Sequence, residues 1–455
     1  MKHRFQRWST IGILASLLGV GFGEAYSQPY RYGLVFHQHG ADQVYRVNLR
    51  TSQVDTVLNL QQEIETIFTD PDATRLFVDL KWGDYRVYNA LEPDSVLKVF
   101  HVDEGWMGNI LLGPNDRLYI SRGYHLDTDH PRGGMVIVDR TTLSVLDSTE
   151  EIIALRDPAT GRLNRFVSSD GFFIYSLVDS IKSGLFFNVV SATNYANMGL
   201  RRCGSITDFT FGPVLYDARS GHAVIGYAIP PGDFADHHYR VCDVDRGISK
   251  CDIAFPFRSM AHLSGDARRL IVEDARWDTT RPQGEYRPGV IYVFDSENGH
   301  LLQRVNVPPE GNVLVFRNYP AEMFYYYFDS NGTPTSVVVN LNHVMTTTEL
   351  LNSLVALKHQ AQANSWLADK NFVKELDNHL ENAQKHLAKR DSLNAYKEVE
   401  KFQEKVNKEY KKTVDSEKKN KPRDKRFVSV DGWKLLYFNA GYILDRLPSE
   451  KKGKK

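Results

Sequence analysis

The sequence predicts an all-β region followed by an all-α region: a seven-bladed β-propeller with a C-terminal antiparallel helical bundle. Short runs of Val, Ile, Phe and Tyr between turn residues fill residues 28–345, and one phrase recurs there seven times. Residues 346–455 carry Lys, Glu, Ala and Leu at helical spacing, with few Gly and Pro. The 455-residue chain is 42% hydrophobic and 25% charged, which excludes a largely disordered, collagen-like or polytopic membrane protein.

Residues 1–27 have the three parts of a secretory signal peptide. A basic start is followed by an apolar segment over residues 11–22 and by the small residues Ala25 and Ser27. The apolar segment is too short to span a bilayer comfortably. We therefore expect cleavage ahead of Gln28 and a secreted, periplasmic or cell-surface protein without a transmembrane anchor. An uncleaved anchor is the alternative.

The net charge of zero conceals two regions of opposite charge. Residues 28–345 contain 29 Lys and Arg against 39 Asp and Glu, a net charge of −10, whereas residues 346–455 contain 24 against 16, a net charge of +8. The first 27 residues contribute the remaining +2. Read alone, the neutral sum would argue against nucleic acid as a partner. The basic runs of the second region also lack the interleaved aromatic residues of nucleic-acid binders, so no nucleic-acid partner is predicted. The two regions either have different partners or contact each other, in which case salt would screen the attraction between them.

The repeat in the β region consists of an apolar strand, a polar turn and a second apolar strand. Its marker residues, 41 to 55 positions apart, are Asn48, Asn89, Asp139, Asn188, Asp243, Asp295 and Asn340. Each period holds about four strands, the size of one propeller blade. Blades stacked radially bury the faces that a lone sheet would expose, and ring closure protects their edges. A two-sheet sandwich is the alternative, but it does not explain so regular a repeat.

The repeat also resembles that of YVTN-type and quinoprotein-like propellers, in which an SPDG-rLYV segment precedes a V-V-ID-TG segment. DATRLFV at Asp72 and GDARRLIV at Gly265 match the first part, and VIVDRTTL at Val136 and YVFDSENG at Tyr292 match the second. The resemblance covers most of residues 30–342. It implies the fold but no single activity, because such propellers include lactonases, dehydrogenases and binding proteins.

The ligand-binding surface is predicted on the connections between the two parts of each repeat, which emerge on one face of the propeller. Trp and Arg side chains there, with polar neighbours such as Asp274, suit a glycan, polyanion or peptide through stacking and bidentate hydrogen bonds. The predicted ligand-binding residues are His37, His39, Trp82, Asp84, Trp106, Arg122, His125, Arg132, Arg276 and Trp277.

One of these connections has the composition of a divalent-metal site. The predicted ligands, for calcium or zinc, are His125, Asp127, Asp129 and His130. The alternative is a surface loop that is rich in Asp and His without binding a metal, so no cofactor is firmly predicted. The G-x-S-x-G, P-loop and H-E-x-x-H motifs of common hydrolases and nucleotide-binding proteins are absent from the sequence.

The three cysteines are Cys203, Cys242 and Cys251. In an oxidising compartment, a disulfide between Cys242 and Cys251 would close a short loop. Cys203 would then be free or buried.

Four helices with one-sided apolar stripes predict a small antiparallel bundle. They span 347–365, 371–388, 392–412 and 431–447, and the charged segment 411–426 is predicted to be a flexible loop.

The bundle resembles the FIMAH-type C-terminal module of bacterial secreted proteins. LDNHLENAQKHL at Leu376, AYKEVEKFQEKV at Ala395 and WKLLYFNAGYILDRL at Trp433 carry the resemblance, which implies an accessory, surface or polymer-binding role. A basic patch supports contact with anionic polymers or headgroups, although a solvated face is the alternative. The patch residues are Lys418, Lys419, Lys421, Arg423, Lys425 and Arg426.

These observations predict an exported, non-enzymatic binding or scaffold protein. Its propeller face would recognise a glycan or protein ligand, and its helical module would dock to a surface or partner. The alternative is a metal-dependent, lactonase-like propeller hydrolase that uses the His and Asp residues of the same face.

Overall fold

A computed structural model gives the architecture of the chain. The described residues are 14–15, 32–36, 43–48, 53–62, 64–69, 75–80, 84–89, 96–101, 110–112, 117–121, 135–149, 165–167, 173–180, 184–191, 197–203, 210–217, 221–228, 237–255, 259–274, 289–308, 312–315, 321–328, 334–419 and 425–448.

The β region consists of small antiparallel sheets, seven in the described part of the chain, and each pairs its strands in chain order. Sheet 1 contains β1 (Leu14–Ala15), β2 (Tyr32–Phe36), β3 (Gln43–Asn48) and β4 (Gln53–Asn59). Sheet 2 contains β5 (Ile64–Thr69), β6 (Arg75–Leu80), β7 (Asp84–Asn89) and β8 (Val96–His101). Sheet 3 contains β9 (Ile110–Leu112), β10 (Arg117–Ser121), β11 (Met135–Asp139) and β12 (Val145–Thr149). Sheet 4 contains β13 (Arg165–Val167), β14 (Phe173–Ser180), β15 (Gly184–Ser191) and β16 (Asn197–Arg202). Sheet 5 contains β17 (Thr210–Asp217), β18 (His222–Ala228), β19 (His237–Asp243) and β20 (Ile248–Ala254). Sheet 6 contains β21 (Ser259–Leu263), β22 (Arg269–Asp274), β23 (Gly289–Asp295) and β24 (Leu301–Val307). Sheet 7 contains β25 (Asn312–Val315), β26 (Glu322–Phe328) and β27 (Pro334–Asn340). Such a succession of four-stranded meanders is typical of β-propellers.

The predicted repeat corresponds to one sheet per period. Six of the seven marker residues end the third strand of their sheet, and Asn188 lies inside β15, the third strand of sheet 4. In sheets 3, 5, 6 and 7 the marker side chain caps the turn that follows the strand, because its oxygen accepts a backbone N–H two or three residues later. These bonds run from Thr142 to Asp139 (2.7 Å), from Arg246 to Asp243 (3.0 Å), from Glu297 to Asp295 (2.8 Å) and from Asn342 to Asn340 (2.9 Å).

Apolar side chains pack between neighbouring sheets. Val44 of sheet 1 shares a buried cluster with Leu76 and Val78 of sheet 2. Ile271 of sheet 6 shares another with Tyr325 of sheet 7. The sheets therefore bury their faces against one another, as the repeat predicts.

The first strand lies inside the predicted signal peptide. Leu14 pairs with Leu34, and Ala15 pairs with Gly33, both in β2. Cleavage ahead of Gln28 would remove β1 and leave that edge of β2 without its partner.

Four helices follow sheet 7: α1 (Thr347–Ala363), α2 (Lys370–Ala388), α3 (Ser392–Lys418) and α4 (Val430–Leu444). They agree with the four predicted helices to within three residues at every end except the end of α3. Among the described residues, no helix is both long enough and apolar enough to cross a membrane.

The predicted flexible loop over 411–426 was wrong for its first part, because α3 continues to Lys418. Thr413 is buried, its hydroxyl donates to the Glu409 carbonyl, and it accepts a hydrogen bond from the Val428 backbone N–H. Tyr410 stacks on Trp433 of α4 with ring centroids 4.5 Å apart. The high charge of this segment is typical of a loop. Contacts with Val428 and with α4 instead stabilise it as the last part of α3.

The helical module packs directly on sheets 5 and 6. A single buried cluster contains Phe255, which follows sheet 5, Tyr292 and Phe294 of sheet 6, and Tyr442 of α4. The rings of Phe294 and Tyr442 meet edge to face, with centroids 5.3 Å apart. Helices and sheets therefore share one hydrophobic core.

Hydrogen bonds fix the position of α4 between the outer strands of these two sheets. The Tyr442 hydroxyl donates to the carbonyl of Ala254, the last residue of β20, at 2.8 Å. Nη1 of Arg446 donates to the carbonyl of Leu301, the first residue of β24, at 3.3 Å. The end of α4 thus bridges sheet 5 to sheet 6.

The predicted disulfide between Cys242 and Cys251 was wrong. Cys203, immediately after β16, is bonded to Cys242 in β19, with their Cα atoms 6.1 Å apart, and Cys251 is the free thiol. Cys251 lies opposite Val241 in the ladder of β19 and β20. Because neighbouring residues of a strand point to opposite faces, Cys242 points away from Cys251. The disulfide therefore joins sheet 4 to sheet 5.

We expect Cys203→Ser to lower the free energy of unfolding by about 2–4 kcal/mol, since it opens a buried link between residues far apart in sequence. Urea unfolding measures the change. Cys251→Ala is the matched control, because it leaves the disulfide intact. A disulfide-linked peptide that joins Cys203 to Cys242 in the unreduced wild type supports this pairing, and a mapped Cys242–Cys251 peptide would contradict it.

Candidate functional site

Most of the predicted ligand-binding residues fall between the second and third strands of their sheets along the chain. The two exceptions are Trp106, which lies between sheets 2 and 3, and Asp84. Asp84, the first residue of β7, pairs with Leu80 and His101. The others lie outside the described residues, so their role stays a prediction: His37, His39, Trp82, Trp106, Arg122, His125, Arg132, Arg276 and Trp277.

The predicted metal ligands His125, Asp127, Asp129 and His130 also lie outside the described residues. Within the described ranges, no group of three or more His, Cys, Asp or Glu side chains has the arrangement of a metal site. Calcium or zinc binding therefore also stays a prediction.

The described part of the candidate site is the end of β22, where Glu273 and Asp274 are both buried. They directly precede the connection over 275–288, which contains the predicted ligand residues Arg276 and Trp277. A β-strand ordinarily places such a pair on opposite faces. Glu273 shares its face with Ile271 of its own strand and with Ile291, its neighbour in the ladder, and Asp274 points the other way.

Burial and the charge of Asp274 raise the pKa of Glu273 from 4.5 to about 8. Its carboxyl group is therefore mostly protonated at neutral pH and able to donate a hydrogen bond. Oε2 of Glu273 has no hydrogen-bond partner in the described part of the chain. A buried carboxylic acid whose pKa is raised this far, directly before a connection that contains predicted ligand-binding residues, is a candidate functional group.

His262 of β21 lies on the same face of sheet 6, two ladder positions from the pair formed by Met260 and Glu273, where it pairs with Ile271. Burial alone lowers its pKa from 6.5 to about 4. The imidazole is therefore neutral at neutral pH. This face of sheet 6 thus holds a neutral acid and a neutral base among apolar side chains.

Asp274 acts on the opposite face, where α4 packs. Burial raises the pKa of the Tyr442 hydroxyl well above its ordinary value, and the nearby Asp274 carboxylate raises it further. Nδ2 of Asn439 lies 3.5 Å from the Tyr292 hydroxyl, to which it donates. The end of β22 therefore lies between α4 and the connection over 275–288, which contains predicted ligand-binding residues.

The predicted basic patch is divided by the structure. Arg426 is bound within the module: Nη1 and Nη2 each donate to a carboxylate oxygen of Glu375 at 3.2 Å, and the guanidinium lies 4.5 Å from the centre of the Phe372 ring. Hydrogen bonds from Lys405 and Arg426 lower the pKa of Glu375 to about 2. Lys418, Lys419 and Lys425 are exposed, and Lys421 and Arg423 lie outside the described residues.

Sequence reasoning missed Glu273. The signal that could have found it is an acidic side chain that immediately continues the apolar run Leu270, Ile271 and Val272 inside a predicted strand. Burial decides its chemistry, and burial depends on sheet 7, which covers this face.

The comparisons with known proteins give structural neighbours only. No protein-family model matches the chain, and no curated protein matches it. Among solved structures, it is similar to the hydrazine synthase of Kuenenia stuttgartiensis, at 12% identity over 75% of this chain and 99% of that chain, with a TM-score of 0.49. It is also similar to a chain of a mitotic checkpoint complex, at 12% identity over 75% and 95% with a TM-score of 0.44, and to BamB from Moraxella catarrhalis, at 10% identity over 72% and 84% with a TM-score of 0.39. Likeness at these values carries no information on function.

We expect Glu273→Gln to remove a pH dependence of stability. The folded state holds the Glu273 proton more tightly than the unfolded state, so wild-type stability falls as the pH rises from about 4.5 to about 8. Relative to the variant, the wild type should lose on the order of a few kcal/mol between pH 5 and pH 8. Urea unfolding at several pH values measures this difference.

Glu297→Gln is the control for this experiment, because Glu297 lies in the turn between β23 and β24 of the same sheet and the hydrogen bond from Lys250 lowers its pKa. Its difference from the wild type should stay constant over the same pH range. Parallel pH profiles for Glu273→Gln and the wild type would contradict the assignment.

Proposed function

We propose that the chain is an exported, non-enzymatic binding or scaffold protein. In this proposal the sheets present a ligand-recognition face for a glycan or protein, and the helical module docks the whole unit to a surface or partner. The observation that carries the proposal is the hydrophobic core shared by α4 and sheets 5 and 6, with Tyr292 and Tyr442 at its centre. A module held in this way has a fixed orientation relative to the sheets, which suits a scaffold.

The proposed architecture is a closed, seven-bladed propeller. Its support is the proximity of the first strands of successive sheets: β9 lies next to β13, β17 lies next to β21, and β21 lies next to β25. The first strand of the last sheet, β25, also lies next to β1 of the first sheet, a contact that exists only before the predicted cleavage ahead of Gln28. Neighbours of this kind are expected when sheets surround a common axis.

The proposed ligand face is built from the connections between the second and third strands. These differ greatly in length, from three residues at 81–83 and 181–183 to 13 residues at 122–134 and 14 residues at 275–288. Binding residues commonly lie on variable connections that a rigid scaffold positions. Trp82, Trp277 and the Arg residues beside them would supply stacking and bidentate hydrogen bonds to the ligand.

Export is supported by the disulfide as well as by the N-terminal sequence. A buried Cys203–Cys242 bond joins two sheets, and structural disulfides persist in oxidising compartments. The exposed Lys418, Lys419 and Lys425 suit contact between the module and an anionic polymer. This is the role that the resemblance to FIMAH-type modules implies.

One observation favours the alternative, a metal-dependent propeller hydrolase. Glu273 has a pKa of about 8 and so could act as a general acid at neutral pH beside the 275–288 connection. Its partners in such a reaction would be the predicted metal ligands His125 and Asp127.

A glycan array and a pull-down from extracellular polymer and protein fractions, both with the full mature chain, test the proposal. We expect a retained ligand whose affinity falls about tenfold or more in the double variant Trp82→Ala, Trp277→Ala, since aromatic anchors dominate binding energy. Val145→Ala, at an exposed position of β12, is the control and should bind normally.

Mass spectrometry of the exported protein should find Gln28 at its N-terminus. Failure of both binding assays would contradict the proposal. Calcium- or zinc-dependent turnover that disappears in His125→Ala, Asp127→Ala would favour the hydrolase instead.

A further inference from the structure

In the described part of the chain, sheet 7 has no fourth strand on its outer side. Sheets 2 to 6 each have four strands, and sheet 1 keeps its outer strand β4 even when β1 is removed with the signal peptide, whereas sheet 7 ends at its third strand, β27. The marker residue Asn340 caps a turn after β27 as its counterparts do, accepting the Asn342 N–H at 2.9 Å. The turn is therefore present, but the residues that follow it lead to α1 instead of forming the fourth strand found in sheets 2 to 6.

The segment after this turn leaves sheet 7. The Met345 N–H donates to the carbonyl of Leu302 in β24 at 2.8 Å, and α1 begins two residues later. The first strand of the chain, β1, pairs with β2 rather than with β27. Among the described strands, none occupies the outer side of β27.

The composition of β27 also differs from that of the six outermost strands of the other sheets. Each of those carries at least one charged side chain: Asp55 in β4, Lys98 in β8, Asp147 in β12, Arg201 and Arg202 in β16, Lys250 and Asp252 in β20, and Arg304 in β24. Charges on an edge strand oppose pairing with another chain. β27 reads Pro-Thr-Ser-Val-Val-Val-Asn and carries no charge, and its proline occupies the first position, where it leaves the ladder intact.

The side chains of β27 favour a strand partner. Val339 is buried against sheet 6, whereas Val338, on the opposite face, is 44% exposed. The three successive valines are β-branched residues, which favour extended pairing. A seven-residue strand offers roughly 24 Å of backbone for main-chain hydrogen bonds.

We propose that the outer edge of β27 accepts an extended segment of a partner protein as the fourth strand of sheet 7. The segment would be uncharged and carry β-branched or apolar side chains at alternate positions, so that one of them covers Val338. Main-chain hydrogen bonds supply the affinity in this mode of recognition, and alternate side chains supply the specificity. This site is separate from the proposed ligand face and does not depend on it.

Interface area argues for a peptide segment rather than a second copy of the chain. Two globular chains joined along one seven-residue strand would bury less than the roughly 1,200 Å² of a stable protein interface. An extended segment needs no such area, because it forms the ladder along its whole length.

The test uses the full mature chain and a fluorescent, acetylated and amidated peptide of seven alternating Thr and Val residues, with binding measured by anisotropy. We expect binding to the wild type and about tenfold weaker binding to Val338→Lys, since lysine on an edge strand opposes pairing. Val338→Thr, which keeps a β-branched, uncharged residue, should bind like the wild type. Val145→Lys on β12 should also bind like the wild type, and the N-methylated peptide should not bind.

Absence of peptide binding to the wild type, or equal binding by Val338→Lys, would overturn the proposal. Sedimentation equilibrium supplies a further decisive outcome: a wild-type dimer that Val338→Lys dissociates would assign the edge to a second copy. Circular dichroism of each variant verifies that the fold is intact.

Discussion

The contact between α4 and sheets 5 and 6 is the interaction on which the rest of the architecture depends. Phe255, Tyr292, Phe294 and Tyr442 form a buried aromatic cluster with edge-to-face ring pairs, and each such pair contributes about 0.5–1.5 kcal/mol beyond its burial. The hydroxyl and guanidinium groups at the end of α4 then bond to backbone carbonyls of the two sheets. This contact joins the acidic β region and the basic helical region into one body. Among the described residues it is made by aromatic side chains and by hydrogen bonds to backbone carbonyls.

The same packing explains the chemistry of sheet 6. Its strands are covered on one face by sheet 5 and α4 and on the other by sheet 7, so that a carboxyl group at the end of β22 has little access to water. Burial, rather than any sequence motif, makes Glu273 a neutral acid at pH 7. Sheet 7 therefore determines the chemistry of Glu273, whereas α4 packs on the opposite face of sheet 6.

The sequence predicted what depends on local periodicity. In four of the sheets the marker residue recurs because its side-chain oxygen caps the turn after the third strand. The helices are predicted by their apolar stripes. Tertiary contacts decided the rest: the end of α3 is fixed by Thr413 and Tyr410, and the disulfide partner of Cys242 is set by which face of β19 it occupies. The predicted ligand residues remain predictions, whereas Glu273 could be found only once the cover of its face was known.

Native-state hydrogen exchange of the intact chain tests most directly whether module and sheets form one cooperative unit. The shared core predicts that amides in the middle of α4 and in β20 and β23 open with the same free energy and the same denaturant dependence. Exchange from α4 at a distinctly lower free energy, while β20 and β23 stay protected, would contradict it. The module would then be an independently unfolding appendage rather than part of the scaffold.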